Sequence, residues 1–238
     1  MRWKDIWVSR KPLNCECDNE LNSNRNDQIL LNLIRTDGFD SGTGSIQLDS
    51  WKSYVDWVDM ILQVSKNNSI YEVGCGSGAL LYPFYIKGYK VGGLDYSSLL
   101  ISNAEKIMKD MDFMVNEALN LTSEIKYDFV VANSVFFYFP DYAYAERVLD
   151  KMVEKAIKRV LIMDVPDLKL KDECEKVRSS AYPPGEYEKK YKGLSHLYFD
   201  REWFVNYCLK NQLTVKLYDQ KISNYDNSRF RFNCLIEL

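Results

Sequence analysis

The chain has 238 residues, 46% of them hydrophobic and 27% charged, with a net charge of −3. That length suits one α/β domain with additions better than two domains, and the acidic balance argues against affinity built on neutralising many phosphates. No apolar stretch approaches the ~20 residues of a transmembrane helix, and the charged, aromatic start "MRWKDIWVSRK" is not a signal peptide. The expected protein is cytoplasmic, with no membrane partner.

Residues 1–50 read as an N-terminal extension of irregular composition, expected to form a helical cover for whatever the rest binds. Polar "CDNELNSNRND" precedes apolar "ILLNLIR" and then "TDGFDSGTGS" (36–45), whose Gly, Asp, Ser and Thr mark a loop. Asp40, Gly42 and Gly44 either shape that cover or belong to an ordinary loop. The six cysteines include Cys15 and Cys17 but no CxxC pair, so free thiols and no metal are expected. "DSWKSYVDWVDMIL" opens a helix at Asp49 or Ser50, with Tyr54, Val55, Val58 and Leu62 on its apolar face.

From Ser69 a strand–helix rhythm sets in. "SIYEV", "KVGGLD", "DFMVNEA", "YDFVVANS" and "KRVLIMDV" read as strands, and "SGALLYPFYIKG", "SSLLISNAEKIMKDM" and "DYAYAERVLDKMVEKAI" as the helices among them. Gly88 is a C-cap candidate. Such alternation predicts a parallel sheet covered on both faces. After Pro166 the rhythm breaks into a charged, Tyr-rich stretch, about 166–199, read as a helix and then a long loop forming a lid. "DREWFVNYCLKN" is a helix capped by Asp200. "LTVKLYDQ" and "RFRFNCLIEL" close the chain as a strand pair, the last alternating Phe230, Phe232 and Cys234 against Arg229, Arg231 and Asn233 as a half-exposed antiparallel strand. The expected fold is a Rossmann-like doubly wound α/β sheet of seven strands, mostly parallel with an antiparallel C-terminal strand. Residues 51–238 form one domain.

The stretch "EVGCGSG" (72–78) places Gly74, Gly76 and Gly78 between a strand and a helix N-terminus. Glycines allow close ligand approach, but the spacing is neither that of a dinucleotide fingerprint nor of a P-loop. The acids around it narrow the ligand. Glu72 before the loop would repel a pyrophosphate and suit a cation. Asp95, closing the second strand, is placed to accept ribose hydroxyls. A nucleoside with a positive charge and no phosphate fits both, and S-adenosylmethionine is such a molecule. An NAD-dependent oxidoreductase fits neither.

In order and spacing, "YEVGCGSG", "GLDYS", "NEA" and "VVANSVFFYF" resemble the class I S-adenosylmethionine-dependent methyltransferases over roughly residues 50–165. The resemblance implies that Glu72, Gly74, Gly76 and Gly78 surround the methionine half, that Asp95 holds the ribose and that Tyr96 flanks the adenine. It places Asn116, Glu117 and Ala118 at the adenine, and Asn133 and Ser134 beneath the reactive centre. S-adenosylhomocysteine would be the product. The Gly residues usual before the fifth strand are missing from "EKAIKRVLIMD".

"NSVFFYF" lacks the Pro-Pro-aromatic motif of amino-methylating nucleic-acid enzymes, and no Pro-Cys nucleophile is present. The expected acceptor is therefore a small molecule, not nucleic acid, methylated on oxygen or, alternatively, on an amine nitrogen. The single histidine, His196, is either the general base or a packing residue of the lid. Tyr198, Arg229 and Arg231 are expected at the acceptor, the arginines to meet an anionic group or to sit on a solvated strand face. "GFDSGTGS", "SVFFYFPD", "SHLYFD" and "NSRFRFN" resemble small bacterial enzymes of surface-polysaccharide and natural-product pathways, among them methyltransferases of capsule phosphoramidate precursors. That likeness implies an anionic or sugar-linked hydroxyl. A non-catalytic S-adenosylmethionine-binding protein is the other reading, and the expected assembly is a monomer or homodimer.

Overall fold

The computed structural model describes residues 3–9, 23–39 and 46–238, so Asp40, Gly42, Gly44, Cys15 and Cys17 lie outside the described residues. Seven strands make one sheet: β1 (Ser69–Val73), β2 (Lys90–Asp95), β3 (Asp112–Val115), β4 (Tyr127–Asn133), β5 (Ala156–Pro166), β6 (Thr214–Asp219) and β7 (Arg231–Glu237). Their order is β3-β2-β1-β4-β5-β7-β6. The first five are parallel neighbours, and β7 runs antiparallel to both β5 and β6. This is the expected Rossmann-like fold.

Side chains alternate across a strand, and β4 shows how that builds two cores. Phe129 and Val131 join the layer of Val58, Leu62, Leu80 and Phe84, while Val130 and Ala132 join that of Val148, Leu149 and Met152. The first layer is carried by α2 (Ser23–Thr36), α3 (Leu48–Leu62), α4 (Tyr82–Ile86) and α5 (Ser98–Ile107), and the second by α6 (Tyr142–Lys155) and α9 (Arg201–Lys210). Asp141 caps α6 by accepting from Tyr144 N at 2.7 Å, and Asp200 caps α9 by accepting from Glu202 N at 3.1 Å. Such a cap contributes about 1 kcal/mol. No described helix is long and apolar enough to cross a membrane.

The helices expected in the N-terminal cover are α1 (Trp3–Val8) and α2. Three local expectations are corrected. α3 starts at Leu48, with Gln47 at the cap position in place of Asp49 or Ser50. The 166–199 stretch is a helical hairpin, α7 (Lys171–Ser180) and α8 (Glu186–Lys190), rather than one helix and a long loop. Most consequentially, β7 is not half exposed: Arg231 through Ile236 are all buried. β5 and β6 pair its two edges, and its faces pack into the two core layers, Leu235 into the first and Phe232, Cys234 and Ile236 into the second, so its polar residues point into the protein. β6 is the edge strand and shows the alternating exposure.

Candidate functional site

The carboxyl ends of β1, β2, β4 and β5 converge on the crevice where ligands bind in open α/β sheets. At β1 the chain turns through Gly74, Gly76 and Gly78, with φ of 73°, 54° and 90°. These left-handed values favour glycine. At Gly76 space adds a second constraint, since a Cβ there would lie 2.6 Å from Asp37 Oδ1.

Asp37, just beyond α2, is what fills that space. Its Oδ1 accepts from Ser77 N at 2.7 Å and from Ser77 Oγ at 2.6 Å, and its Oδ2 accepts from Ala79 N at 3.1 Å. An N-terminal segment thus caps the turn after the glycine loop from outside it. Burial pushes the Asp37 carboxyl up to about 6 against the pull of those bonds. Asp95 accepts from Ser97 N at 2.8 Å and from Gly76 N at 3.1 Å, and burial raises its carboxyl too. Glu72 is 3% exposed and its Oε2 has no partner. Burial, then the neighbouring Asp37 and Asp95, hold it well above the usual carboxylate range.

Three carboxylates therefore face one loop, and no described lysine or arginine forms an ion pair with any of them. A buried acceptor with no partner costs about 1–3 kcal/mol. The cluster fits a ligand that brings positive charge and hydrogen-bond donors, as S-adenosylmethionine does. The neighbouring wall is Tyr96, Asn116, Glu117 and Ala118. Asn116 Oδ1 accepts from Glu117 N at 2.9 Å, and Ala118 is buried. Lys4 of α1 pairs with Glu117 and lies 5.7 Å from the Tyr96 ring centroid.

Residues 71–159 match a family model described as a methyltransferase domain. That match runs from β1 into β5. Among curated proteins no sequence matches the chain significantly. Solved structures share its fold. Magnesium protoporphyrin IX methyltransferase from Synechocystis PCC 6803, with bound S-adenosylhomocysteine, aligns at 17% identity and a TM-score of 0.57, over 99% of this chain and 92% of that one. The plantazolicin methyltransferase BpumL with the same ligand aligns at 16% and 0.59, over 79% and 82%. An S-adenosylmethionine-dependent methyltransferase from Clostridium acetobutylicum ATCC 824 aligns at 14% and 0.59, over 90% and 98%.

Beyond the loop, β4 ends in Asn133, followed by Ser134. Tyr54 of α3 donates to Asn133 Oδ1 at 2.9 Å. Ser134, at φ 59°, donates through Oγ to Asp164 Oδ2 at 2.7 Å. Asp164 interrupts β5 at φ 58°, where the register with β7 shifts. Its carboxylate also accepts from Gln220 Nε2 at 2.8 Å and Tyr225 OH at 3.4 Å, and its N–H donates to Asn233 Oδ1 at 3.0 Å. A strained, 3% exposed carboxylate held this closely by its surroundings is a functional-site feature. Gln220 and Tyr225 also line an outer cleft of ≈ 550 Å³ together with Ile222, Ser228 and Arg229, so one wall of the cleft is built from partners of Asp164.

The remaining expected residues separate. Arg231, on the polar face of β7, is 4% exposed and its Nε lies 3.7 Å from Asp164 Oδ1. Arg229 is exposed on the cleft, 4.6 Å over Phe230. Tyr198 is 4% exposed, beside Cys174 and Phe230. His196 Nδ1 lies 3.0 Å from Arg178 Nη1. A guanidinium only donates, so Nδ1 supplies the lone pair and the neutral ring carries its proton on Nε2. Burial, then Arg178 and Arg231, keep the ring well below its usual pKa and hence neutral. In this arrangement His196 offers a donor, and the base role expected of it has no free lone pair.

Asp37, Asp164, Arg178 and Gln220 were not singled out by sequence. Asp164 carried a usable signal: "IMDV" ends its apolar run in an acid, as "YEVG" and "GLDY" do.

Proposed function

We propose that the chain transfers the methyl group of S-adenosylmethionine to a hydroxyl of a small polar acceptor, anionic or sugar-linked. The unneutralised carboxylates around the glycine loop, with the orphaned Glu72 at their centre, carry this reading. When bound, the cofactor supplies a methyl group already activated by its sulfonium. Glu72 would hold its ammonium group, Asp95 the ribose hydroxyls, and Tyr96, Asn116, Glu117 and Ala118 the adenine. The protein's remaining work is to orient the acceptor and receive its proton.

Asp164 is the carboxylate at the ends of β4 and β5 and is the group we assign to that proton. Ser134 and Gln220 fix its oxygens. The acceptor hydroxyl gains the methyl and loses its proton, and the demethylated cofactor departs. Two guanidiniums on this side disfavour an amine acceptor, whose ammonium form they repel. The finer likeness to surface-polysaccharide enzymes supports a sugar-linked hydroxyl, although much of "GFDSGTGS" lies outside the described residues.

Calorimetry with S-adenosylmethionine, S-adenosylhomocysteine and NAD tests the cofactor. Binding of NAD alone would overturn the reading. Tritiated-methyl transfer into phosphorylated sugars, hydroxy acids and amines then separates O-methylation from N-methylation. Cofactor binding without transfer to any of them would favour a non-catalytic binding protein.

A further inference from the structure

Next to Asp164 the protein buries more positive charge than it neutralises. Arg231 Nε and Nη1 are both buried without a hydrogen-bond partner, and the 3.7 Å approach of Nε to Asp164 Oδ1 is too long for one. Its guanidinium carbon lies 5.0 Å from the Phe137 ring centroid, and the His196 ring centroid lies 4.7 Å from the same ring. His196 Nε2 is also buried without a partner, and Tyr198 OH has no nitrogen or oxygen partner, only the Cys174 thiol beside it. Arg178, which fixes His196, stacks 5.2 Å over Tyr191, and no described carboxylate forms an ion pair with it.

The groups lie within electrostatic reach of one another: Arg178 and Arg231 both act on His196 and on Tyr198. Arg231 thus has Asp164 as its nearby carboxylate, which already accepts from Ser134, Gln220 and Tyr225, and no described carboxylate forms an ion pair with Arg178. Uncompensated buried charge is strongly unfavourable. The unused groups, an arginine N–H, an imidazole N–H and a phenol, are all able to donate. Tight packing does not explain them, because an apolar side chain at Arg231 would fill the space without the charge.

We propose that Arg231, His196 and Tyr198, with Arg178 behind them, form a subsite that binds an oxyanion of the acceptor, a carboxylate or a phosphate monoester. This rests on the methyl-transfer reading only for the identity of the ligand as acceptor. The subsite lies beside Asp164, so it would hold the acceptor by its charged end and leave the hydroxyl to reach Ser134 and Asp164. His196 is then a positioning donor, its ring set by Arg178.

The single histidine gives a spectroscopic handle. In imidazole 15N spectra, the cofactor-free protein should show the Nε2–H tautomer. Titration with benzoate or phenyl phosphate, with and without S-adenosylhomocysteine, should shift that signal saturably, and the probe that binds more tightly tells carboxylate from phosphate. Arg231→Met should weaken the shift at least tenfold, leave S-adenosylhomocysteine affinity unchanged and raise the ligand-free Tm. Arg178→Met, at a half-buried position, should release Nδ1 and alter the tautomer signal. No shift with either probe, an undiminished shift in Arg231→Met, or a lowered Tm in that variant would overturn the subsite. Oxyanion binding without S-adenosylhomocysteine binding would leave the subsite standing and sink the methyl-donor reading, and the opposite pattern would do the reverse.

Discussion

Glu72 and Asp164 occupy equivalent places, each at the carboxyl end of a strand, yet the protein treats them oppositely. Glu72 is left with a bare oxygen, whereas Asp164 accepts three side-chain donors. The first is poised for a ligand's charge. Glu72→Gln should weaken S-adenosylmethionine binding by about 10- to 100-fold, the scale of a hydrogen bond to a charged group, as calorimetry would register. The second is poised for a proton. Asp164→Asn should lower kcat by roughly 10²- to 10⁴-fold while cofactor affinity holds, and steady-state kinetics with equilibrium binding separate those effects. Gly76→Ala places a Cβ 2.6 Å from Asp37 Oδ1 at a left-handed φ. It should cost about 1–3 kcal/mol in strain and break the cap on Ser77, seen as a lowered Tm together with lost cofactor binding.

Among the elements, α1 touches both halves of the site. Its Lys4 reaches Glu117 and Tyr96, while Trp3 donates to Ser195 O at 3.2 Å and stacks 4.9 Å from His196. The Lys4–Glu117 pair is partly exposed, so Lys4→Ala should weaken cofactor binding by no more than about fivefold, in line with the small value of surface pairs. Removing residues 1–9 should cost more, because the Trp3 ring goes too; stopped-flow dissociation of the cofactor would rank the two. A helical N-terminal cover was expected, but the polar composition of residues 1–50 did not mark where α1 and α2 begin and end. The reading of β7 failed for another reason. Alternating Phe and Arg looks the same whether the polar face meets water or lines a buried site, and only the insertion of β7 between β5 and β6 decides it.

At the scale of the molecule the parallel half was fully legible, because continuous apolar runs such as "YDFVVAN" admit little besides a buried strand. The gathering of the glycine loop with Glu72 and Asp95 was legible too, since a glycine loop flanked by acids is local in sequence. Sequence also singled out His196 and Arg231, but not Asp164, Arg178 and Gln220, which reach them only through tertiary folding. The carboxylate cluster also sets a pH dependence for the whole protein. Asp37 rises from 3.8 to about 6, and Glu72 shifts in the same direction. The folded state therefore holds these protons more tightly than the unfolded chain. Their stabilising contribution is complete below the unfolded pKa and is lost as pH climbs through the folded values. Ligand-free Glu72→Gln should accordingly gain Tm over the parent as pH goes from 5 to 8. Saturating S-adenosylmethionine should reverse that order at pH 8, where the parent's carboxylates are matched by the ligand's charge. Differential scanning fluorimetry at the two pH values checks both signs.

The placement of β7 also orders the birth of the enzyme. β6 leaves the ribosome before β7, yet it joins the sheet only through β7. The earlier strand must wait for the later one, so the nascent chain can assemble β1 to β4 and the glycine loop well before Arg231 is made. The glycine loop and its acids can therefore be in place before the strand that carries Arg231 exists.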